Sequence, residues 1–164
     1  MNSAGTRGLV IAALHLAIVA GLGGKLLADR AMRPRVWARA APFDPNLPIR
    51  GRYVRLRVEA AAPAGIDQRT ISNVRLSKDG DRLVAAPANG SDGLYARTIS
   101  RNGEQVVVVE RWLAYFIPEH VPDPSIRQPG EELWVEITLP RQGPPRPIRL
   151  GVKKDGQLTP LDLD

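Results

Sequence analysis

From Gly8 to Gly24 the chain reads GLVIAALHLAIVAGLGG, 17 consecutive positions without a charge. At about 1.5 Å of rise per residue a helix there spans roughly 26 Å, and continuing through Lys25 to Ala28 brings it to about 31 Å. That matches a hydrocarbon core of about 30 Å if the Lys25 ammonium snorkels to the interface. The pattern predicts a transmembrane anchor at 8–28, behind a short tail at 1–7 and ahead of a juxtamembrane linker at 29–34. A buried core helix would need only about 10–14 such residues. A cleaved signal peptide would need an A-x-A site before a polar start, which Ala20, Gly21, Gly23 and Gly24 do not provide. His15 lies mid-helix with no second intramembrane polar residue, a pattern expected of a neutral imidazole tolerated by lipid or used in helix pairing.

Beyond residue 34 the helical signal vanishes and short β-type runs take over. Arg35 to Phe43 begins in alternation and ends at Pro42, and Asp44-Pro45-Asn46 is a turn signal. Tyr53 to Val58 holds strand-forming residues, with Tyr53, Leu56 and Arg57 alternating only imperfectly against Val54, Arg55 and Val58. Three dipeptides then mark hairpins: Asp79-Gly80, Asn102-Gly103 and Asp155-Gly156, each able to supply the positive φ angles of a type I′ turn between apolar runs. Trp134 to Leu139 is a further alternating strand before Pro140. Val106 to Val109 is apolar throughout, as expected of a strand covered on both faces. Glu110 to Ile117 fits either a helical face of Leu113, Phe116 and Ile117 or a strand face of Trp112, Ala114 and Phe116, and Pro118 ends both. Tyr53, Trp112, Tyr115, Phe116 and Trp134 are expected in the core or at its edge, the competing idea being an exposed edge at Trp112 to Glu119. The fold class is therefore mainly β: one N-terminal transmembrane helix followed by a compact antiparallel β-barrel or β-sandwich domain at 35–164.

Composition narrows the chemistry. The 164 residues contain no Cys and two His, which removes disulfides, thiolate nucleophiles and cysteine-ligated metals, and leaves little histidine for a Ser-His-Asp site. Net charge is +6, with 23 basic against 17 acidic residues. Arg55 and Arg57 share one strand face whereas Arg50 and Arg52 fall in the other register, so they make no single stripe for nucleic acid. Lys25, Arg30, Arg33 and Arg35 are better placed to meet anionic lipid headgroups. They also complicate orientation. A positive-inside count keeps the β domain in the cytoplasm, while a short basic tail before one hydrophobic segment resembles a signal-anchor that exports it.

Gly51-Arg52-Tyr53-Val54-Arg55-Leu56-Arg57-Val58 resembles the G-D-Y-x-x-L-x-Y signature of the GDYXXLXY family of bacterial membrane-anchored proteins. Pro42-Phe43-Asp44-Pro45 is similar to the P-V-D-P segment ahead of that signature, and Tyr115-Phe116-Ile117-Pro118-Glu119 to its Y-F-(I/V)-P-E-G segment. Arg52, Val58 and His120 depart from the pattern, and Arg52 inverts the charge of the signature Asp. The resemblance implies an anchored β domain in a bacterial inner membrane, periplasmic or extracellular, beside another integral membrane protein. It implies no cofactor and no known activity. Its motif positions, Asp44, Gly51, Tyr53, Leu56, Tyr115, Phe116, Pro118, Glu119 and His120, form the candidate binding surface.

Enzyme chemistry finds little footing in the residues. A membrane-anchored hydrolase with a signal-peptidase-like β-fold would need a Ser beside a desolvated Lys, yet no Ser lies between the anchor and Gly51, and Lys78, Lys153 and Lys154 all fall at hairpin turns. Glu110 and Glu119 make a conceivable acid–base pair, more simply read as partners of arginines. Asp79-Gly80-Asp81 lacks the later ligands of a calcium loop. No catalytic, cofactor or metal residue is assigned. A pocket gathering Asp44, Tyr53, Glu119 and His120 would instead argue for catalysis.

Overall fold

The computed structural model describes residues 3–42, 53–63, 71–88, 93–141 and 143–163. It divides into two units, Met1–Arg33 and Pro34–Asp164. The first is helix α1 (Ser3–Met32), whose segment Gly5–Ala28 is by length and composition apolar enough to cross a membrane. No acidic residue opens the helix and its apolar side chains are exposed all round, as lipid rather than a protein core would require. Within it His15 Nδ1 donates to the Ile11 carbonyl at 2.8 Å, satisfying one ring nitrogen inside the helix itself.

The second unit is built of strands: β1 (Arg35–Pro42), β2 (Tyr53–Ala61), β3 (Ile71–Asp79), β4 (Arg82–Pro87), β5 (Leu94–Arg101), β6 (Glu104–Val109), β7 (Leu113–Phe116), β8 (Glu131–Thr138), β9 (Arg146–Lys154) and β10 (Gln157–Pro160). The order is β10-β9-β8-β1-β2-β4-β3-β5-β6, with β6 returning to pair with β2 and β7 also pairing with β2. Among the described strands only β2–β4 is parallel, through Ala61 and Val84. Strand β2 is the hub. Its residues Tyr53 to Leu56 pair with β7, Leu56 to Val58 with β1, and Glu59 to Ala61 with β6. One strand thus serves two sets of neighbours, as strands do where a sheet turns a corner.

Alternation explains how the core fills. Val36, Ala38 and Ala40 of β1, Val54, Leu56, Val58 and Ala60 of β2, and Leu133, Val135 and Ile137 of β8 all point inward. The opposite face carries Trp37 and Arg39, then Tyr53, Arg55, Arg57 and Glu59, then Glu132, Trp134 and Glu136, because the side-chain period of a strand is two. This corrects the imperfect alternation expected for β2: Leu56 faces inward with Val54 and Val58, and Arg55 and Arg57 share the outer face with Tyr53. Val107, Val108 and Val109 are buried in succession, as the apolar run predicted.

Two of the three hairpins have the expected turn. Asn102 (φ 51°) with Gly103 (φ 83°), and Asp155 (φ 50°) with Gly156 (φ 82°), give both positive angles of type I′. The third differs: Asp79 still pairs with Arg82, so the loop is Gly80-Asp81 and only Gly80 has positive φ, the arrangement of a type II′ turn. The ambiguous segment is strand β7. Leu113 and Ile117 are buried, while Ala114, Trp112 at 42% and Phe116 at 69% exposure are directed outward, so neither Trp112 nor Phe116 is a core residue.

Candidate functional site

The motif positions converge only in part. The β2–β7 register sets Tyr53 opposite Phe116, Val54 opposite Tyr115 and Leu56 opposite Leu113, so residues about 60 apart in the chain become cross-strand neighbours. Leu56 is fully buried and Tyr115 packs against the core. Arg55 stacks over Trp112, 4.6 Å from the ring centroid, and lies 5.7 Å from the Tyr53 ring, with Nη2 donating to the Tyr53 hydroxyl at 3.4 Å. Pro118 ends the strand, and Glu119 and His120 are exposed beyond it. Asp44 and Gly51 lie outside the described residues, as does the Arg30 side chain. Lys25 is exposed on α1 and Arg35 on β1; Arg33 joins the two elements. Neither Tyr53, Glu119 nor His120 lines a described cavity that would bring them together.

A concavity of about 480 Å³ lies elsewhere, between strands β1, β2 and β8 and the β3–β4 and β5–β6 hairpins. Its centre is Glu59, 6% exposed, whose Oε1 accepts a hydrogen bond from Arg101 Nη2 at 2.8 Å. Arg39 reaches two of the lining carboxylates, with Nε 3.9 Å from Glu59 and Nη1 3.0 Å from Glu132. Trp134 Nε1 donates to the other Glu132 oxygen at 3.1 Å. The chain folds this way because Arg39 pairs with Trp134 and Trp37 with Glu136 across β1–β8, on the face that alternation turns away from the core. Strand β9 extends the array: Lys153 lies 4.6 Å from the Trp134 ring centroid, and Arg149 holds Glu136 at 2.7 Å while lying 5.4 Å from the Trp37 ring centroid. Gly151 makes room for Trp37, since a Cβ there would lie 2.9 Å from the indole. A second hollow of about 880 Å³ shares Trp37, Trp134, Asp81 and Arg82 and opens toward Lys78 and Lys153.

Burial pushes the Glu59 carboxyl above its ordinary value, against the opposing pull of Arg101 and Arg39 and with a smaller push from Glu132. The folded state therefore holds this proton more tightly than the unfolded chain does. Stability from this group is complete below the unfolded value and is lost as pH rises through the folded one. Glu59→Gln is expected to remove that loss, so wild type should weaken relative to the variant between about pH 4.5 and pH 7.5. Urea midpoints of both proteins at the two pH values check this; a gap independent of pH would contradict it.

The sequence offered no direct sign of this cluster, because Arg39, Glu59, Arg101 and Glu132 are brought together only by sheet register. One signal was available: Glu59 follows Tyr53, Arg55 and Arg57 at period two, on the face opposite the apolar residues. The lysines of the β domain are solvated or occupied. Lys78 lies 3.9 Å from Asp81, Lys154 lies 3.5 Å from Glu131, and Lys153 covers Trp134. Glu110 holds Arg57 at 3.2 Å and Arg97 at 3.0 Å, which makes it a structural carboxylate. Among the described residues no three His, Cys, Asp or Glu side chains gather as a metal site. Comparison with known protein families, characterised proteins and solved structures finds no match to this chain.

Proposed function

We propose that this chain is a single-pass protein of a bacterial inner membrane, of the GDYXXLXY family, whose β domain is an accessory module for another integral membrane protein. The observation that carries this reading is the strip Trp112, Ala114 and Phe116 on the outer face of β7. That strand pairs with β2 alone among the described strands, and the strip belongs to a chain with one membrane-length helix. A short strand whose second edge meets no other described strand, and which carries exposed aromatics, can accept an extended segment of a partner through main-chain hydrogen bonds, with the rings giving selectivity. Export of the domain, with Arg7 and the amino terminus left in the cytoplasm, completes the proposal.

A photo-crosslinking residue at Phe116, compared with one at the equally exposed Tyr95 on β5, tests the surface in intact membranes. A discrete adduct to one integral membrane protein from position 116, absent from position 95, is expected. No adduct at 116, or the same adducts at both positions, would overturn the proposed surface. Reporter fusions at Asp164 test sidedness: alkaline phosphatase activity is expected, and cytoplasmic fluorescence without phosphatase activity would overturn export.

A further inference from the structure

We propose that the hollow of about 880 Å³ beside Trp37 and Trp134 binds the headgroup of an anionic phospholipid. The inference shares with the reading above only the anchor, and it is independent of the β7 edge. Four cations line the hollow, Arg35, Lys78, Arg82 and Lys153, against two carboxylates, Asp81 and Glu136. Glu136 is already matched by Arg149 at 2.7 Å, and Asp81 lies 3.9 Å from Lys78. Arg82, which is exposed, and Lys153, which is half-buried over Trp134, pair with no carboxylate among the described residues. Their charge is open to a ligand.

The concavity around Glu59 differs in sign. Three arginines face four carboxylates there, and two of those arginines, Arg39 and Arg101, already hold Glu59. An anion is thus drawn to the second hollow and not to the first.

Charge alone would admit any phosphate, free or in a polymer. Two observations select a lipid. Trp37, Trp134 and Leu158 line the same hollow, so the cations stand beside an apolar wall. The glycerol backbone and first methylenes of a lipid can cover such a wall, whereas an inorganic phosphate cannot, and indoles are favoured at membrane interfaces for the same reason. The second observation is covalent. Arg35 follows Ala28, the last residue of the membrane-length segment, by seven positions, which reach at most about 25 Å even when fully extended. The anchor therefore keeps the first lining residue at a high effective concentration of lipid headgroups.

Lysines and arginines near a bilayer attract acidic lipids wherever they stand, so the test must separate the hollow from that background. Native mass spectrometry of the full-length chain released from neutral-detergent micelles does so, with phosphatidylglycerol as the anionic probe, phosphatidylcholine as the zwitterionic one and glycerol 3-phosphate as the soluble phosphate. Arg82→Gln and Lys153→Gln are each expected to weaken phosphatidylglycerol binding about fivefold, the worth of one cation near an anionic surface. The preference of wild type over phosphatidylcholine should then be at least about 25-fold, the product of the two. Arg82→Lys keeps the charge and should bind within about twofold of wild type. Arg75→Gln and Arg111→Gln remove the same charge from exposed positions outside the hollow and should also change binding by less than about twofold. None of these side chains lies in the core, so the thermal melts should match wild type and a loss of binding cannot be ascribed to unfolding. A large excess of glycerol 3-phosphate should leave the lipid bound. A smaller preference, undiminished binding by Arg82→Gln and Lys153→Gln, or equal weakening by Arg75→Gln and Arg111→Gln would overturn the proposal. Displacement by glycerol 3-phosphate would also overturn it, by pointing to a free phosphate as the occupant. None of these outcomes bears on crosslinking at Phe116.

Discussion

Leu56→Ala is expected to destabilise the β domain by about 3 kcal/mol, within the range of roughly 2–5 kcal/mol for emptying a buried leucine site. Leu56 has no exposed surface, and it sits where β2 is flanked on both sides, opposite Pro42 of β1 and Leu113 of β7. Walls made of β-branched and small residues on three strands relax poorly into a void, because each is fixed by its own ladder. At roughly 4 °C per kcal/mol for a domain of this size, thermal melting should fall by about 12 °C. Leu56→Met, which keeps most of the volume, should stay within about 1.5 kcal/mol of wild type. If alanine melts within about 3 °C of wild type, the hub role of β2 is wrong.

The same residue shows how far the chain could be read unaided. Strands β1 and β8 were legible because their alternation is strict: Val36, Ala38 and Ala40 inward in one, Leu133, Val135 and Ile137 inward in the other. Asn102-Gly103 and Asp155-Gly156 were legible because few other dipeptides accept two positive φ angles. In β2 the arginines obscured the pattern. Arg55 and Arg57 lie half-buried on the outer face, one stacked on Trp112 and the other bridged to Glu110, so their types alone did not reveal which side was wet. Pro42 and Pro118 marked ends correctly, but no local rule could tell that Phe116 would be outside and Ile117 inside.

The candidate cavity was illegible for a different reason. Its groups lie on β1, β2, β4, β5, β6, β8 and the β3–β4 and β5–β6 turns, and each looks ordinary in its own segment. Glu59 stands at the end of a strand before three alanines, where a solvated carboxylate is the natural expectation. It is buried because β6 takes over from β7 as the neighbour of β2 at that point, bringing Arg101 within 2.8 Å. Long-range register therefore creates the site, while local pattern creates only the faces that register then aligns. Such a carboxylate adds little net stability, since desolvation offsets most of its attraction to the two arginines.

Gly151→Val is expected to have the second largest effect on stability, about 3 kcal/mol, at the upper end of what overpacking commonly costs. Gly151 sits in β9 opposite Trp134, and an added Cβ would lie 2.9 Å from Cζ3 of Trp37 and 3.1 Å from the Thr159 carbonyl oxygen of β10. The indole can swing away, but only by giving up its place beside Arg149 and disturbing Trp134; the carbonyl is backbone and cannot. Restricting the unfolded chain returns about 0.5 kcal/mol, too little to offset the collision. The reason for the glycine is thus a tryptophan more than 100 residues away. This account requires that the two positions be coupled. In the Trp37→Leu background, where the ring is gone, the valine should cost at least about 1 kcal/mol less, a gap typical of residues in direct contact. Urea denaturation of the four proteins of this cycle measures it. Equal costs in both backgrounds would mean that the Trp37 ring does not rest on Gly151, and the wall of the cavity would have to be drawn differently.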